Sequence, residues 1–258
     1  MENNSLLLLS NELASNGIAS LRYDKRGIGN SFAAGMSEKN LKFEHYISDA
    51  ESWVDFLYEN YDFTDIVIIG HSEGSLIGII ASQNERVSQF ISIAGIARSA
   101  DKILLEQLKS QSKEIFKKSV GIVNHIKNSI SPILVDQNLH ILFRPSVQPY
   151  LHSWFKFEPG EEISKINKPV LIIHGTTDIQ VNLEEATLLE NASRRSKKVI
   201  IDGMNHILKK SVGSKEDNIK TYYNSKLPLH TDLSKAIIDF ITSNRHITSA
   251  CKGRLRRP

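Results

Sequence analysis

Apolar residues recur at helical spacing in several stretches of the chain. The first stretch, residues 5–16, carries Leu6, Leu9 and Leu13 on one face, and Gly17 follows where a glycine typically ends a helix. Later stretches are also predicted to be helical. They are residues 43–59, 75–83, 183–191 and 233–242.

Short apolar runs lie between these predicted helices. The run Ile66-Val67-Ile68-Ile69 has no polar alternation, which is typical of a strand covered on both faces of a parallel sheet. The other predicted strands are residues 18–23, 90–94, 170–174 and 198–201. Strands that alternate with helices at this spacing predict an α/β fold with a mostly parallel, doubly wound sheet.

The alternation stops at about residues 98–168. This segment begins with a helical pattern and continues with many large apolar residues, so we expect a helical cap inserted between two strands. Most of its apolar side chains are expected to pack against one another rather than contact a substrate. Residues 1–245 are therefore predicted to form one domain with a cap, and residues 246–258 a disordered basic tail.

Composition and charge narrow the classes of function. Of the 258 residues, 40% are hydrophobic and 24% charged, and the net charge is only +3, so binding to nucleic acid or to an anionic membrane is not expected. The one cysteine, Cys251, permits no disulfide within the chain. The run Leu6-Leu7-Leu8-Leu9 is too short for a signal-peptide core, and no apolar run approaches the roughly 18 residues that span a bilayer. A cytoplasmic location is the expectation.

The pentapeptide Gly70-His71-Ser72-Glu73-Gly74 follows one predicted strand and precedes a predicted helix. In this context Gly-x-Ser-x-Gly is typical of a nucleophile elbow, a strained turn with no Cβ on either flank that exposes the serine hydroxyl. The helix N-terminus behind Ser72 offers backbone N–H groups and a partial positive charge to a developing oxyanion. Ser72 is the predicted nucleophile.

A serine hydroxyl needs a base to take its proton, and nine histidines are available. His206 follows the predicted strand at residues 198–201, in a loop that can bring it to Ser72. His174 ends a strand, where a buried histidine with satisfied hydrogen bonds is the expectation. His206 is therefore the predicted general base.

The acid that orients the base is predicted to be Asp178, which follows the strand at residues 170–174 through a short turn. Asp202 is the alternative, although an aspartate so near His206 is more typical of a turn. The chain order is then Ser72, Asp178, His206.

The order Ser72, Asp178, His206 is that of the α/β-hydrolases. Several segments of the chain also resemble the bacterial α/β-hydrolases of the serine aminopeptidase and esterase-like group. The resemblance extends from about residue 4 to residue 241, and it implies hydrolysis of an ester, or less readily an amide, through an acyl-enzyme. The segments that carry it are residues 21–29 (LRYDKRGIG), 70–74 (GHSEG), 154–157 (WFKF), 174–181 (HGTTDIQV) and 203–208 (GMNHIL).

The chain departs from that family at its beginning. The resemblance implies three strands before the helix at residues 5–16, and a His-Gly segment whose N–H forms half of the oxyanion hole. These N-terminal strands are expected to be missing, which leaves the Glu73 N–H as the oxyanion donor. Loss of one such donor typically costs about 10²–10³ in turnover.

Three hypotheses remain open from the sequence. The first is a serine hydrolase, carboxylesterase-like, that acts on a small-molecule acyl ester. The second is an impaired or non-catalytic α/β-hydrolase-like fragment or binding protein, and the third is acyl transfer to an acceptor other than water. No cofactor or metal is expected, and the acyl length, the natural substrate and the oligomeric state stay open.

Overall fold

A computed structural model describes residues 3–109 and 111–245 of the chain. Its strands within these ranges form one sheet in which every neighbouring pair is parallel and the spatial order follows the chain order. The predicted parallel sheet is confirmed. The strands are β1 (Val67–His71), β2 (Gln89–Ile93), β3 (Val170–Gly175) and β4 (Ser196–Ile201).

Helices cover both faces of this sheet, and the central strands β2 and β3 are buried at every position. On one face, Ile91 and Leu171 pack in a cluster with apolar residues of the first and last helices. On the other face, Phe90 and Ile172 pack against three further helices. The fold is therefore doubly wound, as predicted. The helices of the first face are α1 (Ser5–Ser15) and α11 (Thr231–Ser243), and those of the second are α3 (Glu73–Ala81), α8 (Pro159–Ser164) and α9 (Leu183–Ala192).

The predicted insertion, residues 98–168, contains helices and no strand among its described residues. Phe143, Tyr150, Leu151 and Phe155 are buried in one cluster with Phe43, in line with the expectation that most apolar residues here are packing residues. The assignment of this region as a cap stays a prediction. Its helices are α4 (Ala100–Leu108), α5 (Lys113–Asn128), α6 (His140–Phe143), α7 (Gln148–Trp154) and α8. Two helices lie elsewhere, α2 (Phe43–Asn60) and α10 (Lys215–Thr221).

The strand predicted at residues 18–23 does not form, and that prediction was wrong. These residues belong to no strand, and their side chains are exposed or partly exposed. A strand needs a neighbour to take its backbone hydrogen bonds. In the described sheet β1 pairs only with β2, and no described strand lies beside residues 18–23 to take their backbone hydrogen bonds. Tyr23 instead packs its ring 5.8 Å from that of Trp53.

Two further expectations concern the C-terminal tail and the presence of membrane-spanning helices. The basic tail predicted at residues 246–258, with Cys251, lies outside the described residues. Within residues 3–109 and 111–245, no helix combines the length and the apolar character that crossing a bilayer requires.

Candidate active site

Ser72 stands between the end of β1 and the start of α3, in a strained backbone conformation. Its φ is 55° and its ψ is −122°, a region that L-residues with a side chain rarely adopt. The Ser72 N–H donates to the Ile93 carbonyl oxygen at 2.9 Å, which fixes the turn against β2. Strain of this kind costs about 1–3 kcal/mol and is concentrated at functional sites.

The two glycines of the pentapeptide have different environments. A Cβ on Gly70 would lie 2.3 Å from the Gly74 carbonyl oxygen, a distance that requires the turn to open. A Cβ on Gly74 would meet nothing within 4 Å among the described atoms. The absence of a Cβ is therefore a packing requirement of the elbow at Gly70 and not at Gly74.

His206 lies in the loop after β4, and its imidazole bridges Ser72 and Asp178. Its Nε2 lies 3.1 Å from Ser72 Oγ, and its Nδ1 lies 2.8 Å from Asp178 Oδ2. A carboxylate only accepts, so Nδ1 carries the proton and Nε2 is free to accept the Ser72 hydroxyl. The structure thus brings together the three residues that were predicted in the order nucleophile, acid, base.

The Asp178 carboxylate is held on both of its oxygens. Oδ1 accepts the N–H groups of Gln180 at 2.7 Å and Val181 at 3.0 Å, while Oδ2 faces His206. Burial raises the pKa of Asp178, but the hydrogen bond and charge of His206 and the two N–H groups outweigh it and hold that pKa below its usual value. Asp202, the alternative, is exposed and accepts the Thr176 hydroxyl at 3.0 Å.

Close contact between the end of β3 and the His206 loop makes this pairing possible. A Cβ on Gly175 would lie 1.9 Å from the Met204 carbonyl oxygen, so only glycine fits there. The Thr177 N–H donates to that same oxygen at 3.1 Å. From α10, Asn218 Nδ2 donates to the Thr177 carbonyl oxygen at 2.6 Å and its Oδ1 accepts Asn205 Nδ2 at 3.0 Å. The loops that carry Asp178 and His206 therefore form one unit.

Glu73, the residue after the nucleophile, is the first residue of α3. Its N–H is one of the four amides at a helix start that have no acceptor within the helix. Its carboxylate accepts hydrogen bonds from the Lys25 ammonium and the Tyr150 hydroxyl. Lys25 lies in the loop after α1, and Tyr150 lies in α7. Burial, followed by the charge of Glu73, raises the pKa of Tyr150. Neither partner could be predicted from the sequence, because no local pattern links these three distant segments.

Two further histidines, for which the sequence predicted no role in the site, lie beside the predicted residues. His71 Nε2 lies 2.7 Å from the backbone oxygen of His206. His174 is fully buried, with Nε2 3.1 Å from the Val181 carbonyl oxygen and 3.6 Å from Asp178 Oδ2. Its Nδ1 has no hydrogen-bond partner among the described residues. The prediction of a buried histidine with satisfied hydrogen bonds therefore holds for Nε2 and not for Nδ1.

In the part of the chain that the structure describes, no three or more His, Cys, Asp or Glu side chains form a group that could hold a metal ion.

Comparison with known proteins assigns the family. Residues 4–139, just over half of the chain, match the family described as serine aminopeptidase, S33. The chain belongs to this family. It is also 25% identical over 210 residues to esterase EstD of Thermotoga maritima, a match that covers 76% of this chain and 47% of that protein. The chain thus spans about half the length of this curated relative.

Solved structures confirm the α/β-hydrolase fold. Est1E of Butyrivibrio proteoclasticus with bound ferulic acid is similar with a TM-score of 0.60 and 20% identity, covering 93% of this chain and 84% of that one. The enol-lactonase of Burkholderia xenovorans is similar with a TM-score of 0.56 and 18% identity, covering 93% of this chain and 87% of that one. At these identities the likeness shows the fold alone, and the chain has the α/β-hydrolase fold.

Proposed function

We propose that this protein hydrolyses carboxylic esters through an acyl-enzyme on Ser72. The observation that carries the proposal is the continuous hydrogen-bonded chain from Ser72 Oγ through both nitrogens of His206 to Asp178 Oδ2. A hydroxyl, an imidazole and a carboxylate in this sequence constitute the arrangement that activates a serine.

In the first half of the reaction, Ser72 Oγ attacks the ester carbonyl carbon while its proton moves to His206 Nε2. The tetrahedral intermediate collapses when the carbon–oxygen bond to the leaving group breaks, and the imidazolium returns the proton to that alkoxide. In the second half, water attacks the acyl-enzyme and His206 takes its proton. The acid is released, and the Ser72 hydroxyl is restored.

Asp178 supports both halves by holding His206 in the tautomer with a proton on Nδ1 and by stabilising the imidazolium that forms. Its side chain is only 1% exposed, so water weakens this interaction little. The carboxylate stays ionised because His206 and two backbone N–H groups lower its pKa against the effect of burial.

The negative charge of the tetrahedral intermediate needs donors aimed at it. The Glu73 N–H, at the start of α3, is the donor we assign, and the positive end of the helix dipole acts in the same direction. The Glu73 carboxylate is neutralised by Lys25 and hydrogen-bonded by Tyr150, so its own charge opposes the oxyanion less than a free carboxylate would.

The substrate class is a small-molecule acyl ester. The names of esterase EstD and of the enol-lactonase support ester chemistry on this fold. Cleavage of an ester also depends less on protonation of the leaving group by the general acid than cleavage of an amide does, because an alkoxide leaves more readily than an unprotonated amine nitrogen.

Turnover of p-nitrophenyl acetate and butyrate by the wild type, Ser72→Ala and Ser52→Ala tests the proposal. Ser52 is the matched control, since in the described contacts its exposed hydroxyl donates within its own helix, to the Ser48 carbonyl oxygen. We expect saturable turnover that Ser52→Ala retains and Ser72→Ala reduces to the background rate. Equal turnover in the wild type and Ser72→Ala would overturn the proposal.

A further inference from the structure

We propose that His71 is a positioning residue that holds the backbone of the general base in register with the nucleophile. The inference rests on the proposed function, because it assigns His206 the role of base. It extends that function by giving a task to a side chain whose hydrogen bond goes to the backbone of the base and not to a reacting atom.

The geometry begins with the hydrogen bond from the His71 ring. His71 Nε2 lies 2.7 Å from the His206 carbonyl oxygen, and since a carbonyl only accepts, Nε2 carries the proton. The two imidazole rings lie with centroids 5.0 Å apart and planes at 49°. His71 therefore forms its hydrogen bond with the base's own peptide, while the two rings lie against each other.

This bond connects two distant parts of the sheet. Ser72 follows β1 and His206 follows β4, and these strands are the opposite edges of the described sheet. His71 is covalently joined to Ser72, so one hydrogen bond from its side chain ties the backbone of the base loop to the elbow. Motion of either loop would otherwise change the 3.1 Å separation between Ser72 Oγ and His206 Nε2.

The charge state of His71 is consistent with this role. Desolvation of the ring, followed by the charge of His206, lowers the pKa of His71 to about 4. Near neutral pH the ring is therefore an uncharged donor. It places no positive charge beside His206 at the moment when that residue becomes an imidazolium.

The test compares His71→Gln with His71→Met in the full chain. Glutamine Nε2 stands the same number of bonds from Cβ as histidine Nε2, so it retains the donor, whereas methionine fills space and donates nothing. His125 gives the matched control, because its Nε2 lies 2.8 Å from the Ser131 carbonyl oxygen in the predicted cap. His125→Met removes the same kind of bond away from Ser72.

We expect His71→Met to lower kcat by about 10–100-fold with little change in KM, since a misplaced base impairs the chemical step more than binding. His71→Gln should retain most of the wild-type kcat, and His125→Met all of it. A folded His71→Met with the wild-type kcat would overturn the inference, and so would a His71→Gln as impaired as His71→Met.

A second readout does not depend on turnover. The proton between His206 Nδ1 and Asp178 should give a low-field resonance in the NMR spectrum of the wild type and His71→Gln, and a broadened or absent one in His71→Met. Retention of a sharp resonance in His71→Met would contradict the positioning role. A wild type that shows the resonance but no Ser72-dependent turnover would instead contradict the proposed function and leave the positioning of His206 supported.

Discussion

The Nδ1 atom of His206 lies 2.8 Å from Asp178 Oδ2, although 28 positions separate the two residues in the sequence. Asp178 follows β3 and His206 follows β4, and these two strands pair directly in parallel. The carboxyl ends of paired parallel strands share one edge of the sheet, so the loops that leave them are neighbours. The contact is thus a direct consequence of the topology.

Asp178→Asn should lower kcat for ester hydrolysis by on the order of 10³–10⁴-fold, because an amide can favour the wrong tautomer of His206 and does not stabilise the imidazolium. Asp202→Asn is the control, since its exposed carboxylate accepts only the Thr176 hydroxyl in the described contacts. Steady-state turnover of p-nitrophenyl butyrate measures both. A larger loss in Asp202→Asn would reverse the assignment of the acid.

Gly70→Ala should disrupt the elbow, because the new Cβ would lie 2.3 Å from the Gly74 carbonyl oxygen. We expect it to lower the free energy of unfolding by roughly 1–3 kcal/mol, a typical cost of overpacking, and to reduce turnover. Gly74→Ala, with open space at its Cβ, should retain the wild-type stability. Urea denaturation of both variants checks this, and equal stability would refute the packing argument.

Tyr150→Phe removes the hydroxyl that donates to the Glu73 carboxylate from α7. Hydrogen bonds to charged groups contribute about 1.5–3 kcal/mol, so the substitution should lower the free energy of unfolding by an amount in that range. Tyr223→Phe is the matched control, because the Tyr223 side chain is 70% exposed. Thermal and urea unfolding measure the difference. Identical stability of the two variants would show that this hydrogen bond contributes nothing.

The stability of the protein should decrease as the pH falls from about 6.5 toward 4. The pKa of His71 is lowered from its ordinary value of 6.5 to about 4, so between these values the unfolded chain binds a proton that the folded chain does not. The contribution of His71 to the free energy of unfolding is fully present above pH 6.5. As the pH falls to about 4, that free energy decreases by about 3 kcal/mol. The lowered pKa of His174 adds to the loss with the same sign.

Urea denaturation of the wild type and His71→Gln near pH 7 and near pH 4.5 measures this dependence. Glutamine does not titrate, so the variant should lose less stability than the wild type between these two conditions. An equal loss in both would show that His71 is not the group responsible.

Much of the fold could be predicted because local patterns carried the information. The apolar run at residues 66–69, the helical periodicity at residues 43–59 and the glycines around Ser72 each indicated an element that the structure contains. The chain order of Ser72, Asp178 and His206 was sufficient to predict their meeting, because the strands that precede them lie in one parallel sheet.

Other features could not be predicted, because they depend on distant segments. Residues 18–23 have the composition of a strand, but a strand requires a paired neighbour, which no local pattern supplies. The contacts of Glu73 with Lys25 and Tyr150 join residues that are 48 and 77 positions apart in sequence. The contact between His71 and the His206 carbonyl oxygen joins residues 135 positions apart, and no local sequence pattern predicted it.

The most direct measurement of the central claim is covalent labelling of the wild type and Ser72→Ala with a fluorophosphonate, followed by intact mass and peptide mapping. A fluorophosphonate reacts with an activated serine, so the wild type should gain one adduct, located on the peptide that contains Ser72, and Ser72→Ala should gain none. A folded, monodisperse wild type that gains no adduct, or an adduct on another serine, would contradict the assignment of Ser72 as the nucleophile.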